Sequence, residues 1–131
     1  MANPNIVSVT TIYGKTTYLT PSVTTAVVLL TNTLSSGTVM KINNIVVANV
    51  DGTLAVDATV SIYTNGAVAQ GSAPSSGTAF ALASTVGVPA DATLIVTDKT
   101  TAFYLEEGTC ISVISGTASK LVFTVSYEQI S

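Results

Sequence analysis

Short runs of β-branched and aromatic residues recur along the whole chain, and Gly, Pro, Asn and Asp separate them. This spacing is typical of an all-β sandwich or barrel, because such side chains pack well on a pleated sheet and the separating residues favour turns. In residues 121–127 apolar and polar side chains alternate, as in a strand with one buried face. Residues 59–63 and 110–113 alternate in the same way. We predict an antiparallel β-sandwich of about eight strands, for which a jelly roll is one arrangement, forming a single domain over residues 1–131.

Two segments, residues 26–30 and 45–50, break this alternation, because apolar side chains occupy successive positions. A helix is the competing interpretation, but the β-branched content and the short length favour strands with both faces buried. One face of a sheet in an antiparallel sandwich normally meets solvent, so such a strand needs a second cover. A neighbouring subunit would provide it, and we predict that Val28, Leu29 and Leu30 contact that subunit.

Two further residues are predicted to lie at the same interface. Tyr63 falls on the outer face of its strand if Val60 and Ile62 point inward, and a tyrosine combines apolar area with a hydrogen-bonding tip. Asn65 begins an Asn-Gly dipeptide, which favours a tight reversal, as does the Asp-Gly dipeptide at residues 51–52. The loop at residues 66–78 consists of small residues and is expected to have little to pack against. Tyr127 is predicted to lie in the core.

Charge is scarce, because only 8% of the residues are charged whereas an average soluble domain has roughly 25%. Weak like-charge repulsion favours association with other protein copies. The net charge is −3 and there are only four basic residues, which argues against nucleic acid as a partner, since phosphate binding needs clustered cations. No apolar stretch approaches the roughly 20 residues that span a bilayer, so no membrane partner is expected. The opening residues show no secretory signal, and we expect synthesis in the cytoplasm.

The chain contains no histidine, and this removes the usual general base and the commonest metal ligand. Serine and threonine hydroxyls without a base are weak nucleophiles. Cys110 has no histidine or second cysteine as a partner, so we interpret it as a small, semi-buried apolar residue. Aspartates at strand ends, such as Asp51 and Asp98, more often cap turns than bind calcium. We therefore predict that the protein is not an enzyme and has no catalytic residue, metal or cofactor.

Four segments resemble one family, the small virion structural proteins of marine contractile-tailed cyanophages. They are residues 2–7 (ANPNIV), 41–49 (KINNIVVAN), 103–108 (FYLEEG) and 126–131 (SYEQIS). The resemblance implies a bacteriophage protein without enzymatic activity, assembled into the particle around a symmetry axis as a head decoration, neck or tail component. It implies no particular site residues.

These observations lead to two hypotheses from different classes. In the first, the chain is a capsid decoration or cement protein that forms a homotrimer and binds the major capsid protein or another virion protein, so that it resides in the virion after assembly in the host cytoplasm. In the second, it is a glycan-binding or adhesion module on the virion tail surface, with exposed loops and a calcium ion held by aspartates. An enzyme is the least favoured class because the base is missing.

Overall fold

The structure is a computed structural model that describes residues 4–65 and 68–131. Nine β-strands account for its regular structure, together with one short 3₁₀ turn, Lys99–Thr101. The strands are β1 Ile12–Leu19, β2 Val27–Asn32, β3 Val39–Asn49, β4 Val56–Tyr63, β5 Ala79–Val88, β6 Thr93–Thr97, β7 Phe103–Leu105, β8 Thr109–Ser115 and β9 Leu121–Ile130. Within the described ranges, no helix is both long and apolar enough to cross a lipid bilayer.

The strands form two antiparallel sheets. The first sheet has the order β1-β9-β3-β6, with β7 also paired to β3, and the second has the order β2-β8-β4-β5. The pairs are nested around the β4–β5 connection: β4 pairs with β5, β3 with β6 and β7, β2 with β8, and β1 with β9. If β6 and β7 are counted as one interrupted strand, this is an eight-stranded jelly roll. The predicted antiparallel sandwich is confirmed.

The interruption between β6 and β7 has a local cause. Ile45 of β3 lies opposite Thr97, and Ile42 lies opposite Phe103, so the intervening residues of the β6–β7 edge outnumber those of β3. The surplus forms the 3₁₀ turn, which Asp98 caps by accepting a hydrogen bond from the amide of Thr100 at 2.9 Å. The strands β6 and β7 therefore follow the same edge of the first sheet, but their backbone pairing with β3 is interrupted between Thr97 and Phe103.

The inner faces of the two sheets enclose one cluster of buried apolar side chains. Alternate residues of the strands supply it, as the predicted period of two requires. Its largest fully buried members are Phe123, Leu29, Ile42, Ile45, Leu105, Ile111 and Leu121. Tyr127 is 8% exposed and belongs to the same cluster, so its predicted place in the core is confirmed.

Two buried asparagines join the two sheets at opposite ends of the sandwich. The Asn49 Nδ2 group, at the end of β3, donates hydrogen bonds to the carbonyls of Leu54 and Val88, both at 2.9 Å. The Asn32 Nδ2 group, at the end of β2, donates to the carbonyl of Leu105 at 2.9 Å. Each side chain thus satisfies a buried carbonyl of the opposite sheet, which would otherwise carry a desolvation cost.

The β4–β5 connection runs from residue 64 to residue 78, and we call it the strap. Its described residues, 64, 65 and 68–78, lie over the outer face of the second sheet. Gly66 and Ala67 lie outside the described residues, so the reversal predicted there is not described. The carbonyl of Asn65 accepts a hydrogen bond from the Cys110 thiol of β8 at 3.4 Å. Further along, Val28 of β2 exchanges two backbone hydrogen bonds with Gly71 and Ser72, at 2.8 and 2.9 Å.

One side chain fixes the strap to both sheets. The Gln70 Nε2 group lies 3.0 Å from the Thr17 hydroxyl and from the carbonyl of Leu29, and 3.2 Å from the carbonyl of Tyr18. The next residue, Gly71, has a φ of +85°, which residues with a Cβ rarely adopt. The expectation that this loop has little to pack against is therefore wrong, because its backbone covers the free edge of β2.

The reversal predicted at residues 51–52 is not a hairpin turn. The Asp51 Oδ1 atom accepts hydrogen bonds from the amide of Thr53 at 2.9 Å and from that of Leu54 at 3.3 Å. This compact turn connects β3 of the first sheet to β4 of the second. It is thus a crossover between the sheets and not the tight hairpin that an Asp-Gly dipeptide favours.

Candidate interaction surfaces

The described residues offer little reactive chemistry. No three of their His, Cys, Asp and Glu side chains form a group able to hold a metal ion. The backbone and side-chain hydrogen bonds from Thr53 lower the pKa of Asp51, and the side-chain and backbone hydrogen bonds from Thr100 lower that of Asp98. Both carboxylates are thus engaged with their own turns, which confirms the interpretation of these aspartates as caps.

Cys110 lies beneath the strap and is fully buried. Burial raises the pKa of its thiol to about 11. The thiol is therefore protonated near neutral pH, and only a thiolate is an effective nucleophile. The interpretation of Cys110 as a small apolar residue is confirmed, but its side chain is fully buried and not semi-buried.

The edges of the two sheets define two lateral sides of the sandwich. The edge strands β1 and β2 contact each other, as do β5 and β6. We call these the β1–β2 side and the β5–β6 side. They lie at opposite ends of the strand order in both sheets, so they face away from each other.

The β5–β6 side presents a group of exposed apolar residues. Phe80 of β5 is 60% exposed and Ile95 of β6 is 62% exposed. Leu82 and Val86 of β5 and Tyr104 of β7 are also exposed. The strand β5 contains no charged residue, and all of its side chains except that of Val88 are at least partly accessible.

The backbone of β5 is irregular. Its register with β4 shifts twice, between Ala58 and Val60 and again between Val60 and Ser61. Thr85 has a φ of +49°, and its amide donates to the Thr59 hydroxyl at 2.9 Å instead of to a backbone carbonyl. Bulges of this kind twist an edge strand and hinder further backbone pairing. The apolar side chains of β5 are therefore a better contact surface than its backbone edge.

The β1–β2 side presents a second apolar group. Tyr18 of β1 is 71% exposed, and Ile12 and Tyr13 of the same strand are also exposed. Lys15 is the one charged residue of β1 and β2, and its Nζ group donates a hydrogen bond to Gln129 at 3.0 Å. The strap covers the edge of β2, so β1 supplies most of the accessible apolar surface on this side.

The outer face of the first sheet connects the two sides. A row of register partners crosses four of the five strands, and it consists of Tyr18, Thr124, Val46 and Ile95. Their side chains are exposed or half-buried, and none is charged. Surfaces rich in aromatic residues and poor in charged ones are typical of the centres of protein interfaces.

The predicted interface residues lie elsewhere. Leu29 and Leu30 belong to the core cluster, and Val28 is fully buried on the outer face where the strap covers the end of the second sheet. The chain itself provides the second cover that the doubly apolar pattern requires, so a neighbouring subunit is not needed for it. Tyr63 and Asn65 are half-buried at the base of the strap. A role for these five residues in a contact with another subunit stays a prediction.

The sequence makes Tyr13 and Tyr18 of β1 candidate interface anchors, because a tyrosine combines apolar area with a hydrogen-bonding tip, but the sequence analysis did not single out β5 or Ile12 of β1. Phe80 and Leu82 alternate with alanines in a run without charge, and this pattern could have identified an apolar edge strand. The side to which β1 belongs depends on its pairing with β9, which periodicity does not reveal.

The described residues also form one shallow, open groove, lined by Pro4, Ile6, Val39, Tyr104 and Glu106. It brings one aromatic ring and one carboxylate to the same depression at the end of the sandwich where β7 terminates. The lining is otherwise aliphatic.

A comparison with solved structures finds a chain from the crystal structure of the T13 IBDV viral particle. The likeness has a TM-score of 0.47 and 10% sequence identity, and it covers 94% of this chain. This chain spans only 32% of the length of the viral chain. No family model and no curated protein matches the chain.

Proposed function

We propose that this chain is a non-enzymatic structural protein of a virus particle, which acts by packing against other protein subunits. The observation that carries the proposal is the surface of the sandwich. Both lateral sides expose aromatic and aliphatic side chains, while charge is nearly absent from the strands that form them.

This surface chemistry suits assembly better than independent existence in solution. Soluble proteins rarely leave large contiguous apolar patches exposed, and such patches commonly mark contacts with other proteins. Interface centres are depleted of charged residues and enriched in tyrosine and phenylalanine. Tyr13, Tyr18, Phe80 and Tyr104 are exposed here, and each has the apolar area of an interface anchor.

The choice of a virus particle as the setting has two supports. The jelly roll is a fold of viral capsid domains, although it also occurs in lectins and cupins, so the fold alone does not decide. The second support is the resemblance of residues 2–7, 41–49, 103–108 and 126–131 to cyanophage virion proteins. Together they favour a capsid decoration or cement protein that is assembled in the host cytoplasm and contacts the major capsid protein or another virion protein.

The proposal is tested on purified virus particles. Particles isolated on a density gradient are expected to contain this chain in a fixed ratio to the major capsid protein, as measured by quantitative peptide mass spectrometry. Electron microscopy with an antibody against the chain is expected to show labels at regular positions on the shell. If the chain is absent from intact, infectious particles, the proposal is refuted.

The groove beside β7 favours a second candidate function, a glycan-binding or adhesion module on the tail surface. Tyr104 and Glu106 both line the groove, and an aromatic face beside a carboxylate is a combination that can stack on a sugar and accept its hydroxyl hydrogen bonds. A glycan array tests this candidate, with Tyr104→Ala as the matched variant. Binding that is lost in the variant would support it, and an array without any bound glycan would oppose it.

A further inference from the structure

We propose that copies of this chain associate head to tail, with the β5–β6 side of one copy against the β1–β2 side of the next. This inference deepens the proposed function, on which it rests, because it specifies which surfaces meet and that the partner is a second copy. A head-to-tail contact uses two different patches on each copy and generates a closed ring when the rotation between copies closes. A trimer is one such ring.

The charges disfavour contact between two β1–β2 sides. Lys15 lies in the middle of β1 and is exposed. A two-fold contact of this side with itself would bring two Lys15 side chains close together, and like charges across paired strands are destabilising. Against β5, which has no charge, Lys15 meets no like charge. Asp98, exposed beside β6, adds a carboxylate to the facing side, and Lys99 next to it keeps that side close to neutral.

The backbone disfavours contact between two β5–β6 sides through strand pairing. The two register shifts of β5 and the positive φ of Thr85 disturb the regular spacing of its amides and carbonyls. A backbone ladder between two copies of β5 would contain the irregular spacing of both strands, so fewer of its hydrogen bonds could form. A contact between the apolar side chains of β5 and a different, regular strand avoids it, and β1 pairs with β9 without any register shift.

The size of each side also favours a ring over a dimer. A strand of eight residues is about 26 Å long, and two stacked sheets with their side chains are about 15 Å across, which gives about 400 Å² for one side. A standard interface buries about 800 Å² per partner. One contact alone is thus only about half of a standard interface. In a ring each copy is held by two such contacts, and the copy leaves only when both are broken.

The first measurement is the solution mass by light scattering over a concentration series. The wild-type chain is expected to form one closed oligomer. Tyr18→Glu and Ile95→Glu alter opposite sides, and each is expected to give a monomer. Leu54→Glu is the control, because Leu54 is exposed on the β3–β4 connection and its substitution should leave the oligomer intact. Circular dichroism verifies folding, and Ile12→Glu and Phe80→Glu are second variants for the two sides.

Cross-linking then distinguishes a head-to-tail contact from a two-fold one. Tyr18 and Ile95 lie in the same row of the first sheet, so a head-to-tail ring whose axis runs along the strands brings Tyr18 of one copy near Ile95 of the next. Tyr18→Cys and Ile95→Cys chains of different tag length are mixed and treated with a short bismaleimide. Cys110 is buried, so the introduced thiols are expected to dominate the reaction.

Cross-links between the two different variants, without cross-links within either variant, are the expected result. Cross-links within one variant alone would show a two-fold contact and overturn the inference. A wild-type chain that stays monomeric at all concentrations would overturn it as well. The particle analysis described above would still decide separately whether the chain is a virion protein.

Discussion

Asn49 is the side chain whose removal should most clearly weaken the connection between the two sheets. It is almost fully buried. Its Nδ2 group donates to the carbonyls of Leu54 and Val88, and its Oδ1 atom accepts a hydrogen bond from the amide of Asp51 at 2.8 Å. The substitution Asn49→Ala removes all three hydrogen bonds.

The expected loss of stability depends on which of the three hydrogen-bond partners are accessible to water. Val88 is 1% exposed, so its carbonyl loses its side-chain partner in a dry environment, which costs about 1–3 kcal/mol. Asp51 and Leu54 are more accessible, and water can replace part of the two other hydrogen bonds, at about 0.5–1 kcal/mol each. The expected loss in the free energy of unfolding is thus about 2–5 kcal/mol, a large fraction of the 5–15 kcal/mol typical of a domain.

The assay is equilibrium unfolding in urea, followed by circular dichroism at one fixed chain concentration. Asn44→Ala is the matched control, because Asn44 is half-buried on the outer face of the same strand and surface substitutions usually change stability by at most about 0.5 kcal/mol. An Asn49→Ala loss within 1 kcal/mol of the control value would refute the view that this asparagine holds the sheets together; this threshold is about the net worth of one hydrogen bond.

Three further predictions concern the core and the strap. In urea unfolding, Phe123→Ala should lower the free energy of unfolding by about 3–5 kcal/mol, because it empties a fully buried site. Thr124→Ala, on the outer face of the same strand, should change it by at most about 0.5 kcal/mol. Burial raises the pKa of Cys110 to about 11, so the folded chain holds this proton more tightly than the unfolded chain and stability should fall as the pH rises from 9 to 11. In thermal unfolding, Cys110→Ala should lessen that fall. An unchanged pH profile in the variant would contradict the raised pKa of Cys110. Gln70→Ala should release the strap and raise the rate at which a maleimide labels Cys110 about 10-fold, because the lost hydrogen bonds of Gln70 stabilise the closed strap by about 1.4 kcal/mol. Equal labelling rates in variant and wild type would show that Gln70 does not hold the strap closed.

The sequence predicted the parts of the fold that depend on one strand at a time. In β9 the alternation of Leu121, Phe123 and Val125 with polar residues identifies the inner face, because a two-residue period is a property of a single strand. The antiparallel sandwich follows from the number and spacing of such strands.

The parts that depend on distant segments could not be predicted. The pattern around Val28 correctly indicates burial on both faces, but the cover is the strap of the same chain and not a neighbouring subunit. Periodicity does not show that residues 71 and 72 return to the edge of β2. The sequence also does not reveal that Asn32 and Asn49 join the two sheets, because an asparagine at the end of a strand is usually a turn residue. The candidate surfaces on β1 and β5 emerge only when pairing defines the lateral sides.

The place of β9 in the first sheet affects how the chain folds during translation. This strand lies between β1 and β3 and pairs with both, yet it is synthesised after the other eight strands of the described residues. While translation proceeds from the N-terminus, β1 and β3 have no strand between them, and pairings as distant in the chain as Ile12 with Ile130 form slowly. The β1 surface therefore takes shape only after β9 has left the ribosome. A copy that has not yet completed β9 therefore lacks the β1 surface, so the strand topology itself delays any contact that needs this surface until β9 is in place.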